Sequence, residues 1–277
     1  MRGGMGCDES RFGMSATIHP SAVIEEGAVI HDGAKIGPFC YVSSQTTVGP
    51  DAHLVSNVTT YGRVSIGANT QVWPFAVLGG PPQIHPYQDS DTQLVIGASC
   101  VIREHVTMHR GSTRDQGLTK IGDGCYFMDN SHVAHDCVVE DNCILARSAT
   151  LGGHAHLAKG VYIGGLAAVH QWTRIGTFAF IGALALVTRD VIPFAMANGN
   201  PAHLKGLNIV GFKRRGNSTA QIRDILAAFD MLFGDDVTPL QDRISDVSES
   251  FQDNEQVQAM LDFLNGTSKR GICSAER

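Results

Sequence analysis

The chain carries an aliphatic residue or phenylalanine at every sixth position over most of its first two-thirds. The pattern has no exception between residues 121 and 187, at Ile121, Phe127, Val133, Val139, Leu145, Leu151, Leu157, Ile163, Val169, Ile175, Ile181 and Val187. It also runs through residues 18–78, where Thr60 is the one polar member, and through residues 96–108. An α-helix repeats every 3.6 residues and a strand every two, so neither requires a period of six. A hexapeptide repeat predicts a parallel β-helix, in which each coil of the chain stacks on the previous one.

The residue two positions before each of these side chains is mostly small. Residues i and i−2 of a strand point to the same side, so large and small side chains would alternate inside a narrow prism. Five of the seven cysteines take this inward position, at Cys40, Cys100, Cys125, Cys137 and Cys143. A buried thiol packs as a small apolar group, and an odd count with no Cys-x-x-Cys pair argues against a disulfide framework. We therefore expect a protein of the reducing cytoplasm.

Glycine directly follows the large inward residue in many repeats. The positions are Gly37, Gly49, Gly67, Gly97, Gly122, Gly152, Gly164, Gly176 and Gly182. Because glycine adopts positive φ without steric cost, we expect these residues to form turns of left-handed backbone conformation.

Two breaks in the hexapeptide register predict loops that project from the β-helix, at residues 79–95 and 110–120. The β-helix is predicted over residues 16–193, after a Gly-rich segment at residues 1–15 that we interpret as a disordered or vector-derived tail. Residues 194–277 lack the repeat and carry helical signals, among them the capping box Ser218-Thr-Ala-Gln221. The predicted fold class is all-β, a β-helix with a C-terminal, mainly α-helical region over its open end.

Composition argues against several functional classes. A net charge of −6 gives no support for nucleic-acid binding. No run of about 18 apolar residues predicts a membrane span, and the N-terminus lacks the apolar core of a signal peptide. We expect neither a metal nor another cofactor.

Polar residues gather on one face of the long repeat. Three hexapeptides make one coil, so residues 18 apart should lie one above another, about 4.8 Å apart. This register places His135, Gly153 and Gln171 in one column. The next column holds Asp136, His154 and Trp172, and Gly152 lies beneath His170.

A single outward histidine is usually a solvated surface residue, but here His132, His135, His154 and His170 cluster in neighbouring coils. Imidazole suits general-base catalysis near neutral pH. A neighbouring carboxylate could fix its tautomer, and a glycine amide could stabilise an oxyanion. No serine or cysteine is placed as a nucleophile, so the cluster favours direct attack by a bound hydroxyl on an activated acyl group.

Four stretches of the chain, His132-Val-Ala-His-Asp-Cys137, Leu151-Gly-Gly-His154, Ala168-Val-His-Gln171 and residues 206–216, resemble the acyl-ACP:UDP-N-acetylglucosamine O-acyltransferases, which begin lipid A synthesis. The similarity covers about residues 16–235. It implies a left-handed parallel β-helix that forms a homotrimer with its sites between subunits. It also implies acyl carrier protein as the acyl donor and the 3-hydroxyl of UDP-N-acetylglucosamine as the acceptor of a 3-hydroxyacyl group.

The resemblance assigns roles to individual residues. His135 would be the general base, Asp136 would orient it, and the Gly153 amide would hold the thioester oxyanion. Ala183 would limit the length of the bound acyl chain. Substrate-binding roles are implied for His132, His154, His170, Gln171, Asn208, Arg214 and Arg215. Positive charge for an acidic acyl carrier protein comes from Lys205, Lys213, Arg214 and Arg215.

The chain departs from the family pattern at Ile84 and Pro86 in the first predicted loop, and at Val210, where charged residues are usual. These changes leave the acceptor sugar nucleotide open. An N-acyltransferase acting on a related amino-sugar nucleotide is one alternative. A zinc hydratase resembling the γ-class carbonic anhydrases, and a non-catalytic homologue that binds acyl carrier protein, are the others.

Overall fold

The computed structural model describes residues 15–86, 90–234 and 237–276, so nearly all of the predicted N-terminal tail lies outside the described residues. The strands, in chain order, are β1 Thr17–Ile18, β2 Val23–Ile24, β3 Val29–Ile30, β4 Lys35–Ile36, β5 Tyr41–Val42, β6 Thr46–Val48, β7 His53–Leu54, β8 Thr59–Thr60, β9 Arg63–Ile66, β10 Gln71–Val72, β11 Val77–Gly80, β12 Gln93–Ile96, β13 Val101–Ile102, β14 Thr107–His109, β15 Leu118–Ile121, β16 Tyr126–Phe127, β17 His132–Val133, β18 Val138–Val139, β19 Ile144–Leu145, β20 Thr150–Leu151, β21 His156–Leu157, β22 Tyr162–Ile163, β23 Ala168–Val169, β24 Arg174–Ile175, β25 Phe180–Ile181, β26 Leu186–Val187, β27 Ala195–Gly199 and β28 Ala202–Leu207. The helices are α1 Ile209–Arg214, α2 Thr219–Phe233, α3 Leu240–Ser250 and α4 Glu255–Asn265.

Up to β26, strands that are three apart in the chain belong to the same sheet. The first sheet runs from β1 through β4 and β7 up to β25, β27 and β28, the second from β2 to β26, and the third from β3 to β24. Partners are parallel throughout, apart from the antiparallel hairpin β27–β28. The fold is the left-handed parallel β-helix that the resemblance implied.

The coil length of 18 residues is confirmed in the long repeat, where Val133, Leu151, Val169 and Val187 are aligned in successive strands of the second sheet. These and the other inward residues of the central and upper coils form one continuous buried core. Thr60 is buried as well, and its hydroxyl pairs with that of Thr46 at 2.8 Å, which satisfies the polar group inside the prism.

The prediction about the glycines was wrong. Positive φ falls on the third residue after the inward side chain, as at Phe39 (58°) and Asn69 (58°), and not on the glycines that follow it directly. Those glycines are required by the coil above them, because a Cβ on Gly37 would lie 1.7 Å from the carbonyl oxygen of Val55. Close approach between successive coils therefore selects glycine there.

Both predicted loops are shorter than expected. β11 continues to Gly80 and β12 begins at Gln93, so strand pairing covers both ends of the predicted 79–95 insertion. Likewise β15 begins at Leu118, which leaves residues 110–117 as the second loop. The two loops leave the β-helix from neighbouring coils of the second sheet.

The C-terminal region begins with the β27–β28 hairpin before it becomes helical. The capping box at the start of α2 is confirmed, with both Ser218 and Gln221 side chains bonded to the backbone. After α4 the chain returns to the β-helix, where isolated bridges join Asp190 to Ile272 and Leu204 to Ala275.

Candidate active site

The candidate site lies at the corner of the β-helix between the second and third sheets, which we call the site corner. Asp136, His154 and Trp172 occupy it in three successive coils, each with φ between 60° and 66°. The backbone confirms the predicted columns, because His154 N donates to His135 O (3.0 Å) and Trp172 N donates to Gly153 O (3.1 Å).

His135 is paired with its neighbour in the chain. Its Nδ1–H donates to Oδ2 of Asp136 at 2.7 Å, since a carboxylate can only accept. The side chain of His135 is 14% exposed and that of Asp136 only 2%. This hydrogen bond leaves Nε2 of His135 as the nitrogen that can accept a proton from a bound hydroxyl.

The carboxylate of Asp136 is held by the second loop. The backbone N–H of Ser112 donates to Oδ1 (2.8 Å) and its hydroxyl donates to Oδ2 (2.6 Å). Burial on its own raises the pKa of the Asp136 carboxyl, but the hydrogen bonds from His135 and Ser112 outweigh it and hold that pKa below its ordinary value. Asp136 is therefore a carboxylate at neutral pH.

Gly153 lies directly against the ring of His135. A Cβ at this position would stand 2.6 Å from Cε1 and 2.8 Å from Nε2 of the imidazole. A side chain there would displace the ring, so glycine is required by the position of His135. The same contact brings the Gly153 backbone next to the nitrogen that would take the proton.

His154 connects the second loop to the site corner. Its Nδ1–H donates to Asp115 in the second loop at 2.9 Å, and its Nε2 lies 3.7 Å from Oδ2 of Asp136. Its ring meets that of His135 edge-on, with centroids 5.1 Å apart, and stacks on Trp172 at 3.7 Å. These contacts fix the plane of the imidazole.

A second pair of histidines lies on the adjoining face of the second sheet. Nδ1 of His132 bonds to the hydroxyl of Thr107 at 2.7 Å, and the ring of His109 packs edge-on against it. Burial, with smaller contributions from His132 and His135, lowers the pKa of His109 to about 4. Burial and His135 lower the pKa of His132 too. Both rings are neutral at pH 7.

His170 and Gln171 lie one coil above Gly152 and Gly153. The C-terminal segment contacts both, because Nε of Arg270 donates to the Gln171 carbonyl at 2.9 Å and the Arg270 guanidinium bonds to the His170 ring. Lys269, the preceding residue, places its Nζ 3.2 Å from the centroid of Trp172.

These groups border a cleft of about 380 Å³, within the size range of small-molecule sites. Its lining residues are Gln83, Ile84, His85, Arg114, His135, His154, Gln171 and Trp172. A neighbouring cleft of about 250 Å³ is formed by the two loops, with Ile84, Pro86 and Arg114 among its walls. The structure thus brings the predicted base and Gln171 together with Ile84 and Pro86, two of the residues that depart from the family pattern. The third, Val210, lies apart from them on α1.

Other predicted residues lie elsewhere on the same chain. Asn208 caps α1 by accepting from Gly211 N at 2.9 Å, and Arg215 lies 4.0 Å above the ring of Phe178. They belong to the corner between the third and first sheets, with Arg214 in the same exposed turn. Ala183 is exposed at the corner between the first and second sheets, three coils above His135.

Several residues of the site escaped the sequence analysis. His109 follows the inward Met108 directly and so takes an outward register position beneath the histidine cluster, which is a usable signal. Ser112 and Asp115 lie in a loop with no period, and Lys269 and Arg270 lie about 100 positions from the residues that they contact. No local pattern predicts those four.

The side chains of His135, Asp136 and His154 bring their ligand atoms within 4.8 Å of one another. Two ligand atoms on one zinc ion, each at about 2.0–2.1 Å, would stand about 3.3 Å apart in a tetrahedral site. The 2.7 Å separation of His135 Nδ1 and Asp136 Oδ2 is shorter and is that of a direct hydrogen bond. The geometry favours a base–carboxylate pair over a zinc site.

Residues 190–273 match the family model for domain 2 of UDP-N-acetylglucosamine O-acyltransferase, and residues 118–153 match that for the bacterial transferase hexapeptide, six repeats. The acyl-[acyl-carrier-protein]--UDP-N-acetylglucosamine O-acyltransferase of Brucella ovis is 47% identical over 257 residues, which are 93% of this chain and 92% of the relative. The chain belongs to the UDP-N-acetylglucosamine O-acyltransferase family. The resemblance noted from the sequence is thereby confirmed.

Solved structures of family members are similar over nearly the whole chain. The UDP-N-acetylglucosamine O-acyltransferase of Moraxella catarrhalis is 36% identical with a TM-score of 0.88, over 92% of this chain and 99% of the other. The Francisella novicida enzyme is 31% identical with a TM-score of 0.90, over 94% and 95%. The likeness therefore includes both the β-helix and the C-terminal region.

Proposed function

We propose that the protein transfers a 3-hydroxyacyl group from acyl carrier protein to the 3-hydroxyl of UDP-N-acetylglucosamine, the first step of lipid A synthesis. The pairing of His135 with Asp136 against Gly153 supports this proposal most directly. It supplies a base and an amide donor in a chain whose Brucella relative is named for this acyl transfer.

The reaction needs no covalent enzyme intermediate. The sugar hydroxyl attacks the thioester carbonyl while its proton passes to Nε2 of His135, and Asp136 stabilises the resulting imidazolium. The negative charge that develops on the carbonyl oxygen is held by the Gly153 N–H. When the tetrahedral intermediate collapses, the C–S bond breaks and the imidazolium returns the proton to the leaving thiolate.

Arg114 supplies positive charge to the acceptor site. It lines both clefts, next to Ile84, where the family usually has a charged residue. A guanidinium pairs well with phosphate oxygens. We propose that Arg114 binds the diphosphate of the sugar nucleotide. UDP-N-acetylglucosamine therefore stays the proposed acceptor, although Ile84 and Pro86 stand where the family usually has charged residues.

The surface supports a homotrimer. Phe39, Phe75, Leu166 and Leu184 are 53–69% exposed and stand in one column at the corner between the first and second sheets. In the upper coils the outward residues of the first sheet are also apolar, as at Ile144, Tyr162 and Phe180. The outward residues of the third sheet there are more polar, as at Lys120, His156 and Arg174. Exposed apolar surface of this kind marks an interface.

If the apolar corner faces the threefold axis, the second sheet of one subunit packs on the first sheet of the next. The site corner of one subunit then meets the Asn208–Arg215 corner of its neighbour, so the distant predicted residues would complete the site from the partner. Mixing subunits tests this arrangement. His135→Ala and Arg215→Ala trimers, each inactive, should after co-refolding regain about a quarter of the parent rate if subunits assemble at random; no recovery would place both residues in one chain's site.

The decisive assay supplies purified protein with 3-hydroxyacyl carrier proteins and UDP-N-acetylglucosamine. We expect an ester product that mild base cleaves. A base-stable amide formed on an amino-sugar nucleotide would indicate the N-acyltransferase, and bicarbonate formation from carbon dioxide would indicate the hydratase. Absence of acyl transfer, with carrier protein still bound, would leave the non-catalytic alternative.

We also place the enzyme in the cytoplasm. Cys40, Cys100, Cys125, Cys137 and Cys143 are buried as free thiols at the small inward positions, as a reducing compartment allows. Among the described residues, no helix is long and apolar enough to cross a membrane.

A further inference from the structure

The C-terminal segment, residues 266–276, is fixed against the last coils of the β-helix. Gly271 O accepts from Asp190 N (2.9 Å) and Cys273 N donates to Asp190 O (2.8 Å). Further along, Leu204 N donates to Ser274 O at 2.9 Å. These backbone hydrogen bonds lie on either side of one strand-like stretch, so the two basic residues that precede it are carried to the site corner in a defined position.

Arg270 holds the turn that contains His170 and Gln171. Its Nε donates to the Gln171 carbonyl (2.9 Å), and its terminal nitrogen bonds to Nδ1 of His170. Because arginine only donates, the His170 ring accepts this bond and is held against the guanidinium. Arg270 thus holds both the backbone of this turn and the ring of its histidine.

Lys269 holds the next residue of the same turn. Its Nζ lies 3.2 Å from the ring centroid of Trp172, and the ring of His154 stacks on Trp172 at 3.7 Å and 5°. Both groups lie within 4 Å of one ring, so they occupy its opposite faces. Lys269, Trp172 and His154 thus form a stack, and the His154 ring at its end meets the His135 ring edge-on.

We propose that Lys269 and Arg270 are positioning residues for acyl transfer, acting as a clamp on the turn formed by residues 170–172. This inference rests on the proposed function. The turn lies directly on the coil that carries the proposed oxyanion donor, because Gly152 N donates to Val169 O (2.8 Å) and Trp172 N donates to Gly153 O (3.1 Å). Releasing the turn would therefore loosen His154 and the Gly153 amide together.

The clamp can be tested by kinetics and by fluorescence. Because Trp73 and Trp172 are the two tryptophans of the chain, a Trp73→Phe background makes Trp172 the single reporter. Lys269→Ala should increase acrylamide quenching of Trp172, since one face of the ring loses its cover. Lys269→Ala and Arg270→Ala should each lower kcat about 10- to 100-fold, with KM for both substrates changed less than about threefold, because small misplacements of reacting groups cost that much.

Conservative variants and a matched control separate the clamp from general loosening. Lys269→Arg should restore both kcat and protection of Trp172, because a guanidinium also stacks on indole, whereas Arg270→Lys should recover kcat only in part because it loses the forked donors. Ser274→Ala removes the hydrogen bond between its hydroxyl and Nδ1 of His203, a contact of the same segment away from the site, and should change neither measurement.

Two results would overturn the clamp. The first is a kcat within about twofold of the parent in both Lys269→Ala and Arg270→Ala, a change below that expected for a positioning residue. The second is acrylamide quenching of Trp172 that Lys269→Ala leaves unchanged. If Arg270→Ala fails to fold, the partial effect expected of Arg270→Lys decides its role. A parent protein that transfers no acyl group would contradict the proposed function instead, while the quenching experiment would still test the contact.

Discussion

Asp136 and His135 are adjacent in the chain, yet their side chains face each other, with Oδ2 and Nδ1 2.7 Å apart. Neighbouring residues of a strand would point to opposite sides of the sheet. The φ of 60° at Asp136 turns the chain between them and lets the side chains converge. A corner of the β-helix therefore provides both the proposed base and the carboxylate that would orient it.

Replacing His135 should abolish most of the turnover. His135→Ala removes the proton acceptor, and we expect kcat to fall about 10²–10⁴-fold in a protein that still assembles. His156→Ala, an exposed histidine one coil higher on the third sheet, is the matched control. Steady-state rates within a few-fold of the parent in His135→Ala would refute its role as base.

Replacing Asp136 should have a smaller effect on rate and a pH-dependent effect on stability. Because the pKa of Asp136 is lowered by folding, its carboxylate stabilises the protein above the unfolded-state pKa of about 3.9, and this contribution is lost as the pH falls through the lower folded value. In urea unfolding, the gap in unfolding free energy between the parent and Asp136→Asn should be constant above pH 5 and shrink in stronger acid, as the pKa difference dictates. A gap that persists unchanged at pH 2 would contradict this.

His109 should make the protein less stable in mild acid. Its folded pKa of about 4 lies below the unfolded value of about 6.5, so the unfolded state binds more protons between these pH values. Stability is then lost as the pH falls through this window, by up to about 1.4 kcal/mol per pH unit. His109→Gln should reduce the dependence of the unfolding free energy on pH in this window. His31→Gln, at an exposed position, should leave that dependence unchanged. Equal slopes in all three proteins would exclude His109.

Acyl transfer should not depend on a metal. The proposed base and the proposed oxyanion donor are both protein groups, so dialysis against a strong chelator should leave kcat unchanged. The measurement pairs rates with metal content. A stoichiometric zinc whose removal stops the reaction, and whose return restores it, would favour the hydratase-like alternative for His135, Asp136 and His154.

Ala183 should influence the preferred acyl length. In the proposed trimer its exposed corner lies where subunits meet, so an acyl chain could end there. Each buried methylene contributes about 0.8 kcal/mol, which is roughly a fourfold preference per carbon. Ala183→Gly should shift competition between mixed donors towards longer chains, and Ala183→Met towards shorter ones. An unchanged length profile in both variants would remove Ala183 from the groove.

The period of six residues was sufficient to predict the core and the alignment of the site. Knowing only that Val133 and Leu151 point inward places Gly153 over His135, because the coil length is constant. The prediction of positive φ at the glycines was wrong because the sequence does not distinguish two causes. Positive φ and close contact between coils both favour glycine, and only the backbone distance at Gly37 distinguishes them.

Contacts that leave the repeat could not be predicted. Ser112 and Asp115 reach the site from a loop without periodicity, and Arg270 reaches Gln171 across 99 positions. Asn208 and Arg215 were identified only by family resemblance, and a single chain does not bring them to His135. The repeat determines which residues lie above one another in successive coils. It does not determine which distant segment of the chain folds back against them.

The spacing between coils also limits where an extra coil can be inserted into this chain. A solenoid is most readily lengthened by duplicating one whole coil, which preserves every inward position. Inserted below Thr46, such a duplication would lengthen the molecule without moving a single atom of the site corner. An unrelated coil inserted between Asp136 and Gly153 would instead lift the proposed oxyanion donor about 4.8 Å away from the proposed base. These successive coils must therefore stay adjacent for His135 and Gly153 to meet.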